Sequence, residues 1–259
     1  MRFRISLQVN DEVSGNILPI GYQQQLTRQV TSLLKSNHEA YSSWLASNGI
    51  MDDPIGLNIM AVSNLYIPKI LVENDRLKIC VPRIQFWTSL ILEIGTKDFL
   101  YSCLLDKEFV IGDHLSAVHF RIIEIEEVSP VEYNELMEYQ TLSPIVVKAY
   151  RANHTLEFLN PNNYVYSEFM IDELIERWEQ FYGRQYMGRR DYRFTLLMPE
   201  RRKSVPIENE SNIPRKVVGY MMKFRLEMSP ELQEFAYVTG LGYEINNGFG
   251  FIELIRKKK

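Results

Sequence analysis

The chain has almost no cysteine: Cys80 and Cys103 are the only two, too few for a disulfide framework or a four-thiolate zinc site. It contains no apolar run of about eighteen residues, the length a membrane-spanning helix needs. The opening MRFRISLQVN lacks the apolar stretch of a signal peptide. A cytoplasmic protein with no membrane partner is the expectation. No HxxxH, CxxC or DxD cluster marks a metal site, so neither metal nor cofactor is expected. What is present is ordinary for a folded protein. Of 259 residues, 46% are hydrophobic and 24% charged, which rules out a disordered chain and leaves room for two small domains or one large one.

The formal charge of −4 would discourage a nucleic-acid partner if it were evenly spread, but it is not. Between Arg184 and Arg225, eleven bases (Arg184, Arg189, Arg190, Arg193, Arg201, Arg202, Lys203, Arg215, Lys216, Lys223 and Arg225) face four acids (Asp191, Glu200, Glu208, Glu210). The remainder is strongly acidic despite the terminal Arg256-Lys257-Lys258-Lys259; from Glu124 to Glu138 there are six carboxylates and no base. A single charge run is as readily a solvated face as a binding site. The asymmetry between regions is what points to an anionic partner.

Hydrophobic spacing sets the element order. RFRISLQV alternates from Arg2 to Val9, the pattern of a half-buried strand. After Pro19 and Gly21, Leu26, Val30, Leu33 and Leu34 form one stripe of a helix from Tyr22 to Lys35. Asn37 is placed to cap a second, shorter helix that buries Ala40, Tyr41, Trp44 and Leu45 and stops at Gly49. From Leu57 to Leu92 the runs LNIMAVSNLYI, RLKICV and RIQFWTSLIL are β-rich; Asp98–Leu105 reads as helix and His119–Val128 as strand. The second half repeats this order: strand Leu142–Tyr150, helix Tyr166–Tyr182, strands Tyr192–Leu197 and Val217–Leu226, helix Pro230–Val238 and strand Phe249–Ile255. The expectation is an α+β chain of two tandem ferredoxin-like (RRM-like) β-α-β-β-α-β domains, 1–138 and 139–259.

The sharpest local feature is the G-x-G-x5-G-x-G loop of Gly240, Gly242, Gly248 and Gly250, with Asn246 and Asn247 between the pairs. Glycine permits positive φ and close backbone approach, so such a loop can aim several N–H groups at one anion. The alternative is a tight turn over the core. No G-K-[ST] follows, and the loop enters a strand rather than a helix, so neither a Walker loop nor a dinucleotide fingerprint fits.

The segment GLGYEINNGFGFIEL resembles the signature of the CRISPR repeat-RNA-processing endoribonucleases of the RAMP superfamily. Thr141-Leu142-Ser143-Pro144-Ile145 is similar to the family's TLSPI segment. The opening MRFRISL, followed by Leu18-Pro19 and Tyr22-Gln23, adds a third match in the right order. The resemblance implies two ferredoxin-like domains side by side and cleavage of precursor crRNA within its repeat. It implies metal-independent chemistry: a 2′-hydroxyl attacks the neighbouring phosphorus and leaves 2′,3′-cyclic phosphate and 5′-hydroxyl ends. That chemistry needs a base, an acid and positive charge near the phosphorane. CRISPR repeat RNA is the implied partner, with a homodimer or interference-complex subunits as further partners left open.

Family members usually carry a histidine in a stretch reading roughly W-L-H-x-x-G. Here Trp44-Leu45-Ala46-Ser47-Asn48-Gly49 puts alanine at the histidine position. Three explanations stay open: the histidine was deliberately replaced to trap uncut RNA; the protein is a natural binder without catalysis; or another residue acts, with His38 two turns upstream the candidate. Tyr22 and Lys35, with Arg28, lie on or near the first helix and could face a phosphate, as could any solvated face. RNA contact is expected from Lys223 and Arg225 on one face of a strand, from Arg201, Arg202 and Lys203 as the tip of a basic hairpin, and from Arg189 and Arg190. Tyr192, Phe194 and Tyr243 are candidates for base stacking. A structural subunit lining guide RNA in an interference complex is a third reading of the same features.

Overall fold

The computed structural model describes residues 1–51, 59–208 and 213–255. The start of the Leu57 run, Glu210 and the terminal basic residues 256–259 lie outside the described residues. The chain is mixed α+β with several sheets and divides into two compact units: Met1–Ile55 with Asn64–Pro130, and Gly56–Ser63 with Val131–Lys259. Among the described residues, no helix is long and apolar enough to cross a membrane.

In the first unit, β1 (Arg2–Asn10) leads through α1 (Asp11–Ser14) and β2 (Ile17–Pro19) to helices α2 (Gln23–Lys35) and α3 (His38–Ser47). After β3 (Met60–Val62), which groups with the second unit, come β4 (Ile70–Glu73), β5 (Arg76–Ile79), β6 (Arg83–Leu90), α4 (Thr96–Leu104), β7 (Glu108–Gly112) and β8 (Ala117–Glu127). The alternation of β1 puts Phe3, Ile5 and Leu7 in the core at 0% exposure. β1 pairs antiparallel with β6 on one side, Ile5 opposite Phe86, and with β8 on the other, Ile5 opposite Ile125. These strands run β6-β1-β8-β7, and β2, β5 and β4 form a separate three-stranded sheet in the order β2-β5-β4. α2 buries Leu26, Val30 and Leu34, as its stripe requires.

α3 has the start and stop its sequence specifies. The Asn37 side chain accepts from the Ala40 N–H at 3.1 Å, and Gly49 turns left-handed at φ 80°. Tyr41, Trp44 and Leu45 form its buried side. The Trp44 indole stacks on Phe99 at 4.4 Å between centroids and donates to Thr96 Oγ1 at 2.9 Å. Thr96 Oγ1 in turn donates to the Leu92 carbonyl at 2.7 Å.

The second unit contains β9 (Leu136–Thr141), the hairpin β10 (Lys148–Tyr150) and β11 (Leu156–Phe158), α5 (Tyr166–Tyr182), the long strands β12 (Arg193–Glu208) and β13 (Pro214–Glu227), α6 (Pro230–Thr239) and β14 (Ile252–Leu254). Its sheet runs β12-β13-β9-β14. One face carries Tyr139, Phe194 and Phe224 against Tyr166 of α5 and Tyr237 of α6. The strand beside β13 in this sheet is β9; of the expected Leu142–Tyr150 strand only Lys148–Tyr150 forms, as β10 of the separate hairpin. Leu142 and Ser143 both donate to the single Phe251 carbonyl, and Pro144 has no N–H, so no ladder can run through them. The apolar residues there, Ile145, Val146 and Val147, are buried as irregular chain. The units divide between Pro130 and Val131, and Glu138 lies within β9.

Trp44→Ala is expected to lower stability by about 3–5 kcal/mol through the cavity it leaves. Thr96→Val, which strands the indole N–H, should cost about 1–3 kcal/mol. Urea unfolding followed by near-UV dichroism measures both.

Candidate RNA-binding and cleavage site

The end of α3 is held as a rigid platform. Besides the Trp44 contacts, Asn48 binds in four directions: its Nδ2 donates to the Trp44 and Ile94 carbonyls at 2.9 Å each, and its Oδ1 accepts from the Glu93 and Ile94 N–H groups. Gly49 N–H closes on the Ala46 carbonyl at 3.0 Å. Ala46 is therefore fixed in position and exposed to solvent. A methyl group there can neither take nor give a proton. His38 is also exposed, but it begins the helix that Ala46 nearly ends, about 12 Å away along the axis at 1.5 Å per residue. Lys35 ends α2 with its ammonium 5.4 Å above the Tyr41 ring, near the α2–α3 junction rather than at position 46.

Tyr22 stands apart from these residues. It is 5% exposed, and its hydroxyl accepts the Leu65 N–H at 3.1 Å. Burial pushes its phenol far above the ordinary range, more than the Leu65 bond lowers it. The expectation that it faces a phosphate fails because its ring completes the core under α2.

In the second unit, the fold sorts the eleven bases by partner. Arg189 holds Asp191 and Glu135, Arg190 holds Glu179, Arg193 lies near Glu227, Arg215 holds Glu244 and Arg225 holds Glu138. Arg184 lies over the Trp178 ring at 5.3 Å. Arg201, Arg202, Lys203, Lys216 and Lys223 have no carboxylate partner among the described residues. Arg201, Arg202 and Lys203 are not a hairpin tip. The β12–β13 ladder continues past them to Glu208 opposite Pro214, so they lie in mid-strand, just beyond a bulge between Met198 and Arg201. Arg201 is opposite Met221 and Lys203 opposite Gly219, which puts both on the face of Lys223 and Arg225; Arg202, opposite Tyr220, takes the reverse face. Of the aromatic candidates, Phe194 packs in the core against Tyr166 and Phe224. Tyr243 rests on the buried cluster of Val146, Val205, Ile207, Val217 and Phe249, with its hydroxyl pushed up to about 12 by burial and by Glu173, Glu176 and Asp172.

The glycine loop corrects a larger expectation. Gly240, Gly242, Gly248 and Gly250 are buried. Five of the loop's N–H groups point inward: Gly240 to Ala236, Leu241 to Gly250, Tyr243 to Val146, Gly248 to Ile245, Gly250 to Pro144, all to carbonyls at 2.8–2.9 Å. Phe251 N–H donates to Ser143 Oγ at 2.9 Å. These N–H groups are used within the fold and cannot also cradle a phosphate. Asn247 donates to Glu244 at 2.8 Å and Asn246 alone of the two asparagines is exposed.

Residues 126–254 match the family model described as CRISPR associated protein Cas6, C-terminal. That part of the chain belongs to the Cas6 family. A Pyrococcus furiosus protein described as a CRISPR-associated endoribonuclease-like protein Cas6 is 26% identical over 155 residues, 58% of this chain. That stretch spans 59% of the relative's own length. Among solved structures, that of a Cas6-related gene from Pyrococcus furiosus has a TM-score of 0.79 at 21% identity, covering 100% of this chain and 99% of the other. A RAMP protein described as binding different RNA substrates also has a TM-score of 0.79 at 21% identity, with 99% and 100% covered. At these identities the likeness to the solved structures is one of fold. In the second unit the glycine loop ties the end of the chain to the segment before β10.

Gly250 sits at φ +77°, and a Cβ there would meet Leu241 O at 2.3 Å and Ile245 Cδ1 at 2.4 Å. Gly250→Ala should therefore cost about 2–5 kcal/mol, read by denaturant unfolding. Burial alone would push the Glu244 carboxyl up, but Arg215, Lys148 and Asn247 outweigh it and hold it below the usual glutamate range. Such a group adds stability above its unfolded value, about 4.3, and the gain is lost as pH falls through the folded value. Glu244→Gln is thus expected to be less stable than the parent at neutral pH, with the gap closing below about pH 4.

Proposed function

We propose that the chain binds CRISPR repeat RNA on the scaffold of a repeat-cleaving endoribonuclease, and that cleavage fails for want of a proton-transfer group at position 46. The observation that carries this reading is the Trp44–Gly49 segment. Its flanking residues anchor a rigid, solvent-facing helix end, while the residue at the reacting position is Ala46. Both halves are read as ferredoxin-like. In support, β9, α5, β12, β13, α6 and β14 follow a β-α-β-β-α-β order with the sheet order that plan produces. In the first half β1 lies between β6 and β8, with β7 as an added edge.

The chemistry proposed for a competent site is metal-independent. A base takes the 2′ proton, the 2′ oxygen attacks phosphorus, and the 5′ oxygen leaves as a hydroxyl once protonated. A histidine at position 46 has a pKa near neutrality and suits the proton transfers, each typically contributing about 10²–10⁴-fold. Arg201, Arg202, Lys203 and Lys223 supply phosphate affinity without sequence preference. RNA binding is the activity that remains when the histidine is absent.

Incubating repeat RNA with the parent chain and with Ala46→His tests this. The parent is expected to bind without cutting, and the variant to cut at least about 10²-fold faster, leaving 2′,3′-cyclic phosphate ends. Cutting by the parent that disappears in His38→Ala would overturn the assignment to position 46. Binding indifferent to repeat sequence and dependent on other subunits would instead favour a structural role in an interference complex. Replacing Arg201, Arg202 and Lys203 with alanine should weaken binding and reduce the slope of log K against log salt by about 2 for single-stranded RNA.

A further inference from the structure

The three-stranded sheet of the first unit ends in a bare edge. β4 is its outer strand, paired among the described residues only with β5, and its Ile70, Leu71 and Val72 are 40%, 52% and 57% exposed. Apolar edges of this kind are usually blunted, because their unpaired N–H and C=O groups template pairing with another chain. Which groups are unpaired follows from the ladder. Cys80 N–H donates to the Lys69 carbonyl at 3.0 Å, and the register continues Ile70↔Ile79, Leu71↔Lys78, Val72↔Leu77 and Glu73↔Arg76. Hydrogen-bonded and non-hydrogen-bonded pairs alternate in an antiparallel ladder. Lys69, Leu71 and Glu73 therefore turn their backbone groups toward β5, and Ile70 and Val72 turn theirs outward.

We propose that two copies of this chain pair through β4, antiparallel, about a twofold axis at Leu71. In that register Ile70 of one copy stands opposite Val72 of the other. These are the residues with outward backbone groups, so each pair exchanges both N–H···O bonds. Leu71 meets Leu71 on the axis. Lys69 of each copy falls opposite Glu73 of the other, at a non-hydrogen-bonded position where side chains approach most closely. The segment Lys69-Ile70-Leu71-Val72-Glu73 is thus its own complement: basic end against acidic end, apolar centre against apolar centre. A second copy supplies this match by symmetry, and the self-complementary patch is what a twofold interface requires. The pairing joins two three-stranded sheets into one continuous sheet of ordinary size.

Sedimentation equilibrium of the full chain over a wide concentration range tests this. The parent is expected to show a monomer–dimer equilibrium. Lys69→Glu and Glu73→Lys each place like charges opposite one another twice over and should weaken the dimer about tenfold or more. The double variant Lys69→Glu/Glu73→Lys should restore it. Val72→Pro removes an outward N–H without costing a bond in its own sheet, so it should abolish pairing while thermal unfolding of the monomer stays unchanged. A parent that is monomeric throughout, a dimer indifferent to the single reversals, or a double variant no better than the singles would overturn the proposal.

Discussion

Gly250 can approach the Leu241 carbonyl and the Ile245 side chain only because it has no side chain of its own, and the carboxy-terminal unit depends on that approach. The loop from Gly240 to Phe251 folds over the sheet in left-handed steps and turns its N–H groups onto Pro144, Ser143, Val146 and Ala236. These bonds tie the irregular Leu142–Val147 segment to the end of the chain and bring β14 alongside β9. A buried donor satisfied within the protein contributes to stability; the same donor offered to a ligand would have to be left unpaired in its absence. The loop is therefore committed to the fold, and Arg177 reinforces this from beneath by donating to the Thr239 and Gly240 carbonyls.

With those backbone donors committed, the proposed RNA affinity rests on side chains, and the fold decides which of them remain available. Acidic residues distant in sequence, Glu135, Glu138, Glu179 and Glu244, hold the guanidinium groups of Arg189, Arg225, Arg190 and Arg215. The surface pairs of Arg189 and Arg190 stabilise little and can exchange a carboxylate for a phosphate, whereas Glu244 is buried beside Arg215 and stays committed to it. The bases without carboxylate partners lie on β12 and β13, elements rigid enough to hold them at fixed spacing. At the end of α3 there is the same rigidity without the chemistry: Trp44 and Asn48 fix the helix end, and Ala46 offers nothing to transfer.

Features set by local periodicity and capping were legible in the sequence. Phe3, Ile5 and Leu7 alternate into the core, Leu26, Val30 and Leu34 form one helical stripe, and Asn37 and Gly49 bound α3 as their chemistry demands. Leu142–Val147 was misread because an apolar run has no period to tell a strand from buried irregular chain, while Lys148–Tyr150 does form a strand. Arg201–Lys203 were misplaced because the turn of a long hairpin is fixed by register with β13, which no residue of β12 reveals. Tyr22 is adjacent to a helix start, yet its burial depends on Leu65, forty-three positions away.

The sequence by itself determined the alternation of β1, the stripe of α2, the caps of α3 and the glycine-rich segment, since each is written in neighbouring residues. Only the tertiary structure decided that Gly240, Gly248 and Gly250 turn their N–H groups inward and, among the described residues, which cations lack a carboxylate partner and which strand edge lies bare. Those outcomes depend on contacts between residues far apart in the chain, and the geometry of such contacts exists only after folding.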